Sequence, residues 1–247
     1  MRTFVITDIH GAHKALIQCL NKVDFDYKND RLICLGDVAD GWPEVQECFD
    51  ELMKIKNLIF IIGNHDAWLL NWFTHGIESS MWLQQGGDAS LESYDYKPNI
   101  DHKLFLDNAL DYFIDENNNL FLHGGYKKEY SYDIENQGSG WDYRYYDGDK
   151  HTEYNWNRNY WECACIWEEY KHEPEFDTDY NTVFLGHTPT IKKDSALKPI
   201  KSSNVWNLDQ GAGYGKKLTI MNVETEEYWQ SDMVSELYPN HDGRKMY

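Results

Sequence analysis

The segment Gly63-Asn64-His65-Asp66 follows directly on the apolar run from Leu58 to Ile62, and this junction decides the fold. The run is short, apolar throughout and rich in β-branched residues, which is typical of a strand buried on both faces. It ends at a glycine, and residues 67–73 then begin a helix-like pattern. A buried strand that turns tightly into a helix indicates one half of a βαβ unit.

Four other apolar runs also end in Asp, Asn or His, usually beside glycine, and helix-like stretches separate the first three runs. Strands that alternate with helices predict a mostly parallel, buried sheet. Ligand sites of such sheets lie at the carboxyl ends of the strands, so neighbouring strands would bring all the blocks together. The five blocks are Asp8-Ile9-His10-Gly11, Gly36-Asp37-Val38-Ala39-Asp40, Gly63-Asn64-His65-Asp66, His123-Gly124-Gly125 and Gly186-His187-Thr188.

The side chains of these blocks form a donor set for divalent metals. They offer carboxylates, imidazoles and one amide oxygen, with no thiolate among them. Asp8 and His10 are two residues apart, so both can point the same way at a strand end. Asp37 has two carboxylate oxygens and can bridge two ions, as in two-metal hydrolytic centres. The candidate metal ligands are Asp8, His10, Asp37, Asn64, His123 and His187.

In order and spacing, the five blocks resemble the signature blocks of calcineurin-like metallophosphoesterases, most closely those of the bacterial and phage-type phosphoprotein phosphatase branch. They extend from residue 8 to residue 188, and residues 206–209 and 218–223 resemble the closing strands of the family. The resemblance implies an α/β fold, a two-sheet β-sandwich flanked by helices, with a dimetal site at the strand ends. We expect one metallophosphoesterase domain over residues 1–247, with an aromatic-rich insertion at about 126–165.

The resemblance also implies a role for each block residue. The first metal would be held by Asp8, His10 and Asp37, and the second by Asp37, Asn64, His123 and His187. Two divalent ions are expected, manganese first, with iron or zinc as alternatives. A hydroxide that bridges them would be the nucleophile, and His65 the general acid for the leaving oxygen. Asp40 would orient His65 and raise its pKa. Asp66 is expected to cap the helix or to support a ligand.

The two phosphate-binding arginines of the family are missing from their usual places. Gly41 stands where many members have an arginine, and Cys163 stands where a second arginine would follow a Trp–Asp pair. Of the five arginines in the chain, Arg144 and Arg158 fall in the predicted insertion. Because a guanidinium pairs two phosphate oxygens at once, we expect one of these two to bind substrate. Residues 238–247 are expected to form a frayed polar tail.

Composition argues against several other functions. The chain has 42 acidic and 23 basic residues and a net charge of −19. Nucleic-acid backbones and anionic membranes are bound through an excess of Lys and Arg, so neither partner is expected. The five cysteines lack the spacing of a secreted scaffold, and no apolar run approaches the ~20 residues of a membrane span. We therefore expect a cytoplasmic protein.

Together these features predict a metal-dependent phosphomonoester hydrolase, a serine/threonine or broad-specificity phosphoprotein phosphatase. Its partners would be phosphorylated proteins or small phosphoesters. An alternative within the superfamily is the hydrolysis of dinucleoside polyphosphates or other nucleotides. An alternative of another class is a catalytically silent metal or phosphopeptide binder, which the missing arginines favour and the intact His65 argues against.

Overall fold

The computed structural model describes residues 1–127, 152–192 and 197–245. In these residues, ten strands form two five-stranded sheets with helices on their outer faces. The predicted architecture, a two-sheet sandwich flanked by helices, is confirmed. Arg144 lies outside the described residues, as does much of the predicted insertion. None of the helices in the described ranges is long and apolar enough to cross a bilayer.

The first sheet begins with three parallel strands joined by helices. The elements are β1 (Thr3–Ile6), α1 (His13–Lys22), β2 (Arg31–Cys34), α2 (Val45–Leu52) and β3 (Asn57–Phe60). Strand β1 is buried along its whole length, as its apolar composition predicted. Leu32 of β2 pairs with Phe4 of β1 on one side and with Leu58 of β3 on the other. The carboxyl ends of all three strands therefore meet at one edge of the sheet.

A helical segment follows β3 and returns to that edge. Its elements are α3 (Asn64–His75), α4 (Ser80–Trp82), a π-helical turn (Leu83–Gly87), α5 (Asp88–Ser93) and α6 (Ile100–Asp107). Gly86 has a φ of +101°, which interrupts the helical backbone, and its carbonyl accepts a hydrogen bond from Gly41 N at 3.0 Å. This contact holds the turn against the loop that carries Asp40.

The second half of the chain builds the second sheet and completes the first. The remaining elements are β4 (Tyr112–Ile114), β5 (Leu120–Leu122), α7 (Thr152–Trp156), α8 (Asn159–Glu169), β6 (Val183–Leu185), β7 (Ile200–Ser202), β8 (Val205–Asn207), β9 (Thr219–Asn222), β10 (Tyr228–Gln230) and α9 (Val234–Leu237). The second sheet has the order β4-β5-β6-β8-β7. Strand β9 returns to pair antiparallel with β1, and β10 pairs antiparallel with β9 at the edge.

One apolar cluster joins the two sheets. It contains Val5 and Ile33 of the first sheet and Phe121 and Phe184 of the second, all at most 1% exposed. The rings of Phe121 and Phe184 stack at a centroid distance of 5.0 Å. Burying this apolar surface stabilises the sandwich and fixes the two sets of strand ends relative to each other.

The C-terminal segment packs on the core through Tyr238 and Arg244, so the prediction of a frayed tail is wrong for these residues. Tyr238 is 2% exposed and its ring stacks on Trp42 at 5.3 Å between centroids. Beyond it, Arg244 N donates a hydrogen bond to Gly213 O at 2.8 Å. The prediction failed because polar composition does not reveal that a single aromatic residue anchors the segment.

Candidate metal centre

The five sequence blocks converge at the carboxyl ends of the strands of both sheets. Within the first sheet, Asp8 N donates to Gly36 O at 3.0 Å, and within the second, Gly186 N donates to the His123 carbonyl at 2.8 Å. The sheets are also linked to each other, because His187 N donates to the Asp8 carboxylate at 3.0 Å. The expected convergence of the blocks is therefore present in the structure.

The backbone is strained at five of the block residues. Their φ angles lie between 50° and 71°, in the left-handed region that residues other than glycine seldom occupy. Such strain costs on the order of 1–3 kcal/mol per residue and tends to cluster at functional sites. Since the surrounding hydrogen bonds hold these angles, the side chains they carry are directed into the centre. The five residues are Asp8, His10, Asp37, Asp40 and His187.

Two glycines let the carboxylates approach the backbone of neighbouring blocks. A Cβ atom on Gly63 would lie 2.1 Å from Asp37 Oδ1, and one on Gly186 would lie 2.1 Å from Asp8 Oδ2. Neither position has room for any larger residue. The glycines of these blocks thus serve the placement of the two carboxylates.

The first group of ligand atoms comes from Asp8, His10 and Asp37, which lie within 4.8 Å of one another. Nε2 of His10 is 3.8 Å from Asp8 Oδ1 and 3.7 Å from Asp37 Oδ2. Nδ1 of His10 lies 3.0 Å from Ala39 O, so Nδ1 carries the proton and Nε2 presents a lone pair. Burial lowers the pKa of His10 to about 3, which keeps the ring neutral.

The second group comes from Asp37, His123 and His187, also within 4.8 Å of one another. Nε2 of His123 lies 3.3 Å from Asp37 Oδ2 and 3.3 Å from Asn64 Oδ1. Nδ1 of His123 is hydrogen-bonded to Leu35 O at 2.7 Å, which turns Nε2 toward the carboxylate. Oδ2 of Asp37 therefore faces an imidazole of each group.

The donor atoms fit a divalent metal pair. Nε2 of His187 is buried and has no hydrogen-bond partner among the described residues. Burial lowers the pKa of His187 well below its ordinary value, so this nitrogen offers a neutral lone pair. Burial alone would raise the pKa of Asp37, but the neighbouring imidazole of His123, whose own pKa this carboxylate raises to about 9, holds it well below its usual range. A buried orphan nitrogen beside a shared carboxylate is the environment that a bound cation would satisfy.

His65 and Asp40 form a buried pair next to the first group. Nδ1 of His65 lies 2.6 Å from Asp40 Oδ2, and the carboxylate also accepts from Trp82 Nε1 and from the Ser90 hydroxyl. The His65 and His10 rings are 4.9 Å apart between centroids. Burial lowers the pKa of His65 well below, and raises that of Asp40 well above, their ordinary values. The expected rise of the His65 pKa is therefore outweighed by burial.

Asp66 organises the loop between β2 and α2 through four backbone hydrogen bonds. Its two oxygens accept from the amides of Gly63, Asp37, Val38 and Ala39 at 2.7–3.0 Å. The bond from Gly63 belongs to the N-terminal cap of α3, as predicted. Asp66 thereby connects the block that follows β2 to the block that follows β3.

Of the two arginines expected from the sequence, Arg158 is described and lies at the centre. Its Nη1 donates to His187 O at 2.8 Å. Cys163 does not occupy an arginine's place at the site, because it is buried in the cluster between α8 and the second sheet. Arg158 follows Trp156-Asn157, which differs from the expected Trp–Asp pair only by an amide. Allowing Asn for Asp would have found it.

Arg244 is a residue of the centre that sequence reasoning missed. Its Nη1 lies 2.9 Å from His10 Nε2, and its Nε donates to Gln85 O at 3.2 Å. It comes from the C-terminal segment and has no motif around it. The only signal in the sequence was that the chain has five arginines and that this one had been assigned no role.

An aromatic row connects the two sides of the centre. Trp68 lies 5.0 Å from His65 and 5.2 Å from Trp156, and Trp156 lies 5.9 Å from His187, all between ring centroids. Trp156 belongs to the predicted aromatic insertion. This part of the insertion packs against His187, one of the candidate ligands.

Comparisons with known proteins agree with this geometry. A family model described as calcineurin-like phosphoesterase matches residues 1–212. A symmetrical bis(5'-nucleosyl)-tetraphosphatase of Neisseria meningitidis (serogroup A / serotype 4A) is 24% identical, over 93% of this chain and 95% of its own length. Serine/threonine-protein phosphatase 2 of Escherichia coli (strain K12) is 36% identical, over 34% of this chain and 38% of its own length.

A solved structure provisionally assigned as a diadenosine tetraphosphatase has the same fold. It superposes with a TM-score of 0.60, covering 93% of this chain and 92% of the other, at 18% sequence identity. At that identity the likeness concerns the fold alone. The relatives together include proteins named for two different kinds of phosphoester substrate.

Proposed function

The chain belongs to the calcineurin-like phosphoesterase family and is a phosphoesterase, and on this premise we propose that it is a metal-dependent phosphomonoester hydrolase acting on phosphoproteins. The substrate would be a phosphoserine or phosphothreonine side chain, or a broader range of phosphomonoesters. Family membership alone does not define the substrate, because the named relatives include a tetraphosphatase and a serine/threonine-protein phosphatase. The proposal therefore names a narrower substrate class than the family does.

One observation carries the metal-dependent part of the proposal. Oδ2 of Asp37 lies between Nε2 of His10 at 3.7 Å and Nε2 of His123 at 3.3 Å, so one carboxylate can serve two ions. The ions would be held by the six predicted ligands, with manganese as the proposed metal. Bound divalent metals would polarise a phosphoryl oxygen and make water at the site more acidic.

The pair formed by His65 and Asp40 is suited to proton transfer. Asp40 fixes the imidazole through Nδ1, and Trp82 and Ser90 fix Asp40 in turn. Because Nδ1 faces Asp40, Nε2 of His65 is the ring nitrogen available to a leaving oxygen, and the acid role requires this ring to be protonated against the lowering of its pKa by burial. A phosphate ester leaves as an alkoxide or phenoxide and needs that proton, so we assign His65 the role of general acid.

Arg158 is suited to binding the substrate's phosphoryl group. Its guanidinium is held at the rim of the second ligand group through the carbonyl of His187. Nη1 also donates to Thr188 Oγ1 at 3.5 Å, and since both contacts use Nη1, donors on Nε and Nη2 are left for phosphate oxygens.

Elemental analysis of the purified protein, combined with a manganese-supplemented screen, tests the proposal. The screen would contain para-nitrophenyl phosphate, phosphoserine and phosphothreonine peptides, and diadenosine tetraphosphate. We expect two metal equivalents and turnover of the monoesters, with much slower turnover by His65→Asn. A silent binder would give no turnover in the wild type, and His65→Asn would then leave its function unchanged.

Hydrolysis of dinucleoside polyphosphates is the second candidate. It is favoured because the relative that matches along nearly the whole chain is named as a tetraphosphatase. A preference for diadenosine tetraphosphate over every monoester in the same screen would favour this second candidate over phosphomonoester hydrolysis.

A cytoplasmic location is also part of the proposal. It is supported by the five cysteines, all of which are free thiols in the structure. Labelling the thiols of protein prepared from intact cells would test it.

A further inference from the structure

We propose that Arg244, carried by the C-terminal segment, binds the substrate's phosphoryl group in the space that an arginine at position 41 would otherwise fill. This inference rests on the proposed function and specifies its substrate contacts. It makes the phosphate site a product of two distant segments, with Arg158 on the His187 side and Arg244 on the His10 side.

The stem of Arg244 runs through a passage lined by three glycines. A Cβ atom on Gly41 would lie 3.0 Å from Arg244 Cγ, and one on Gly86 would lie 3.2 Å from the same atom. A Cβ atom on Gly213 would lie 3.2 Å from Arg244 Cδ. Side chains at these three positions would crowd the Arg244 stem, so the absence of Cβ atoms there leaves room for this arginine.

The guanidinium is held by groups other than the metal ligands. Nη2 donates to Gln85 Oε1 at 3.0 Å and Nε donates to Gln85 O at 3.2 Å. The guanidinium carbon lies 4.9 Å from the centre of the Tyr214 ring, within the range of a cation–π contact. These contacts use one edge of the fork and one face of the plane.

The remaining edge points at the first ligand group. Nη1 donates to Nε2 of His10 at 2.9 Å, and that nitrogen can accept because Nδ1 gives its proton to Ala39 O. The same lone pair would be used by a metal ion. Once it is used, Nη1 loses its acceptor and the guanidinium has to move off this nitrogen, and an anionic oxygen at the centre is a replacement partner for it.

The backbone at position 41 explains why the arginine comes from elsewhere. Gly41 has a φ of +91°, which side-chain-bearing residues seldom adopt, and its N–H is bonded to Gly86 O. An arginine in this loop would be strained and would meet Arg244. The residue at 41 and the residue at 244 therefore exclude each other.

The test compares Arg244→Met, which keeps an aliphatic stem in the glycine passage, with Lys245→Met, which removes a neighbouring exposed charge. Isothermal titration would measure the binding of Mn²⁺ to the metal-free protein and of inorganic phosphate to the Mn²⁺-loaded protein. Kinetics with para-nitrophenyl phosphate would be measured alongside. For Arg244→Met we expect phosphate affinity to fall by about 10- to 100-fold, the usual worth of a charged hydrogen-bond pair. We expect Mn²⁺ affinity equal to or tighter than wild type, because a competitor for His10 is gone.

Three results would overturn the assignment. Phosphate affinity of Arg244→Met within twofold of wild type would show that the arginine does not bind phosphate. Tighter Mn²⁺ binding by Arg244→Met, with unchanged phosphate affinity, would show that Arg244 only competes with the ion for His10. Equal losses of phosphate affinity in Arg244→Met and Lys245→Met would show that only the overall charge of this segment matters.

A second variant covers the case in which Arg244→Met does not fold. Arg244→Lys keeps the charge but cannot form the double contact with Gln85, so phosphate affinity should fall by about 3- to 10-fold. Equal affinity in Arg244→Lys and wild type would also contradict the proposal. The two proposals fail separately, because a wild type that hydrolyses no monoester refutes the function, whereas active wild type with unaffected variants refutes only the role of Arg244.

Discussion

The candidate metal-ligand region and the proposed phosphate-binding rim are built in different ways. The candidate ligands follow the ends of strands, which are buried except for the half-buried edge strand β3, where burial on both faces had been predicted. The ligands themselves are at most 4% exposed, and several have strained backbones held by hydrogen bonds between the blocks. The two arginines of the rim come from segments outside both sheets, and hydrogen bonds to loop carbonyls and to the side chain of Gln85 hold them. Strand ends hold the ligand atoms precisely enough to coordinate an ion, whereas any segment that reaches the rim can supply its arginines.

The strongest test of this difference is Asp37→Asn. Losing the shared carboxylate should remove turnover almost completely and weaken metal binding by more than the roughly 10–100-fold cost of losing an outer hydrogen-bond partner. Titration of metal into the purified variant would measure this. Asp95→Asn, which changes an exposed carboxylate paired with Lys97, is the matched control. Full manganese-stimulated turnover by Asp37→Asn would end the assignment of the centre.

The next largest effect is expected for His65→Asn. Loss of a general acid should lower kcat by about 10²–10⁴-fold while metal content stays at the wild-type level. Alkyl phosphates, whose leaving groups need the proton, should lose more than para-nitrophenyl phosphate. His75→Asn, an exposed substitution on the same helix, should leave both rates unchanged. Equal losses for alkyl and aryl esters would contradict the acid role.

Arg158→Ala separates the rim from the ligands. KM for phosphate esters should rise by about 10- to 100-fold, because a charged hydrogen-bond donor is lost, and bound metal should not change. Initial rates across a range of substrate concentrations would measure KM. Arg31→Ala, which breaks an ion pair with Glu116 far from the centre, provides the baseline. Loss of bound metal in Arg158→Ala would show instead that metal binding also depends on the rim. We expect Arg144→Ala not to raise KM for phosphate esters as Arg158→Ala does.

The smallest expected effect is that of Tyr238→Phe, which loosens the C-terminal segment without touching the centre. The Tyr238 hydroxyl accepts from Lys14 N at 3.0 Å and donates to Glu44. Its removal should lower the free energy of unfolding by about 1 kcal/mol, and we expect a KM increase of only about threefold. Thermal unfolding and steady-state kinetics would measure both, with exposed Tyr170→Phe as control. A change in kcat alone would argue against a link between this segment and substrate binding.

The block residues could be predicted because their information is local. Asp8 and His10 follow one apolar run, and Asn64 and His65 follow another, so strand, turn and chemistry can be read within a few residues of each other. The parallel sheet then brings the blocks together through a general rule about strand ends. The capping role of Asp66 followed from similar short-range reasoning.

The rim could not be predicted as well, for two separate reasons. Arg158 was expected to be a candidate, but its motif was sought at Cys163, where a helix packs on the second sheet. Arg244 was overlooked because its segment looked like a polar tail, although Tyr238 buries it against Trp42. Neither the passage between the glycines nor the two hydrogen bonds to Gln85 can be recognised from the order of residues along the chain.

Sequence alone therefore determined the sandwich fold, the candidate metal-donor set and the proposed acid–base pair, because each depends on residues close together along the chain and on the regular pairing of strands. Tertiary structure alone decided which arginines lie beside the two ligand groups. Arg244 and His10 are 234 residues apart, and their contact depends on how the last helix, a stacked tyrosine and three glycine gaps happen to fit together. Contacts of that kind arise from packing, which no local pattern records.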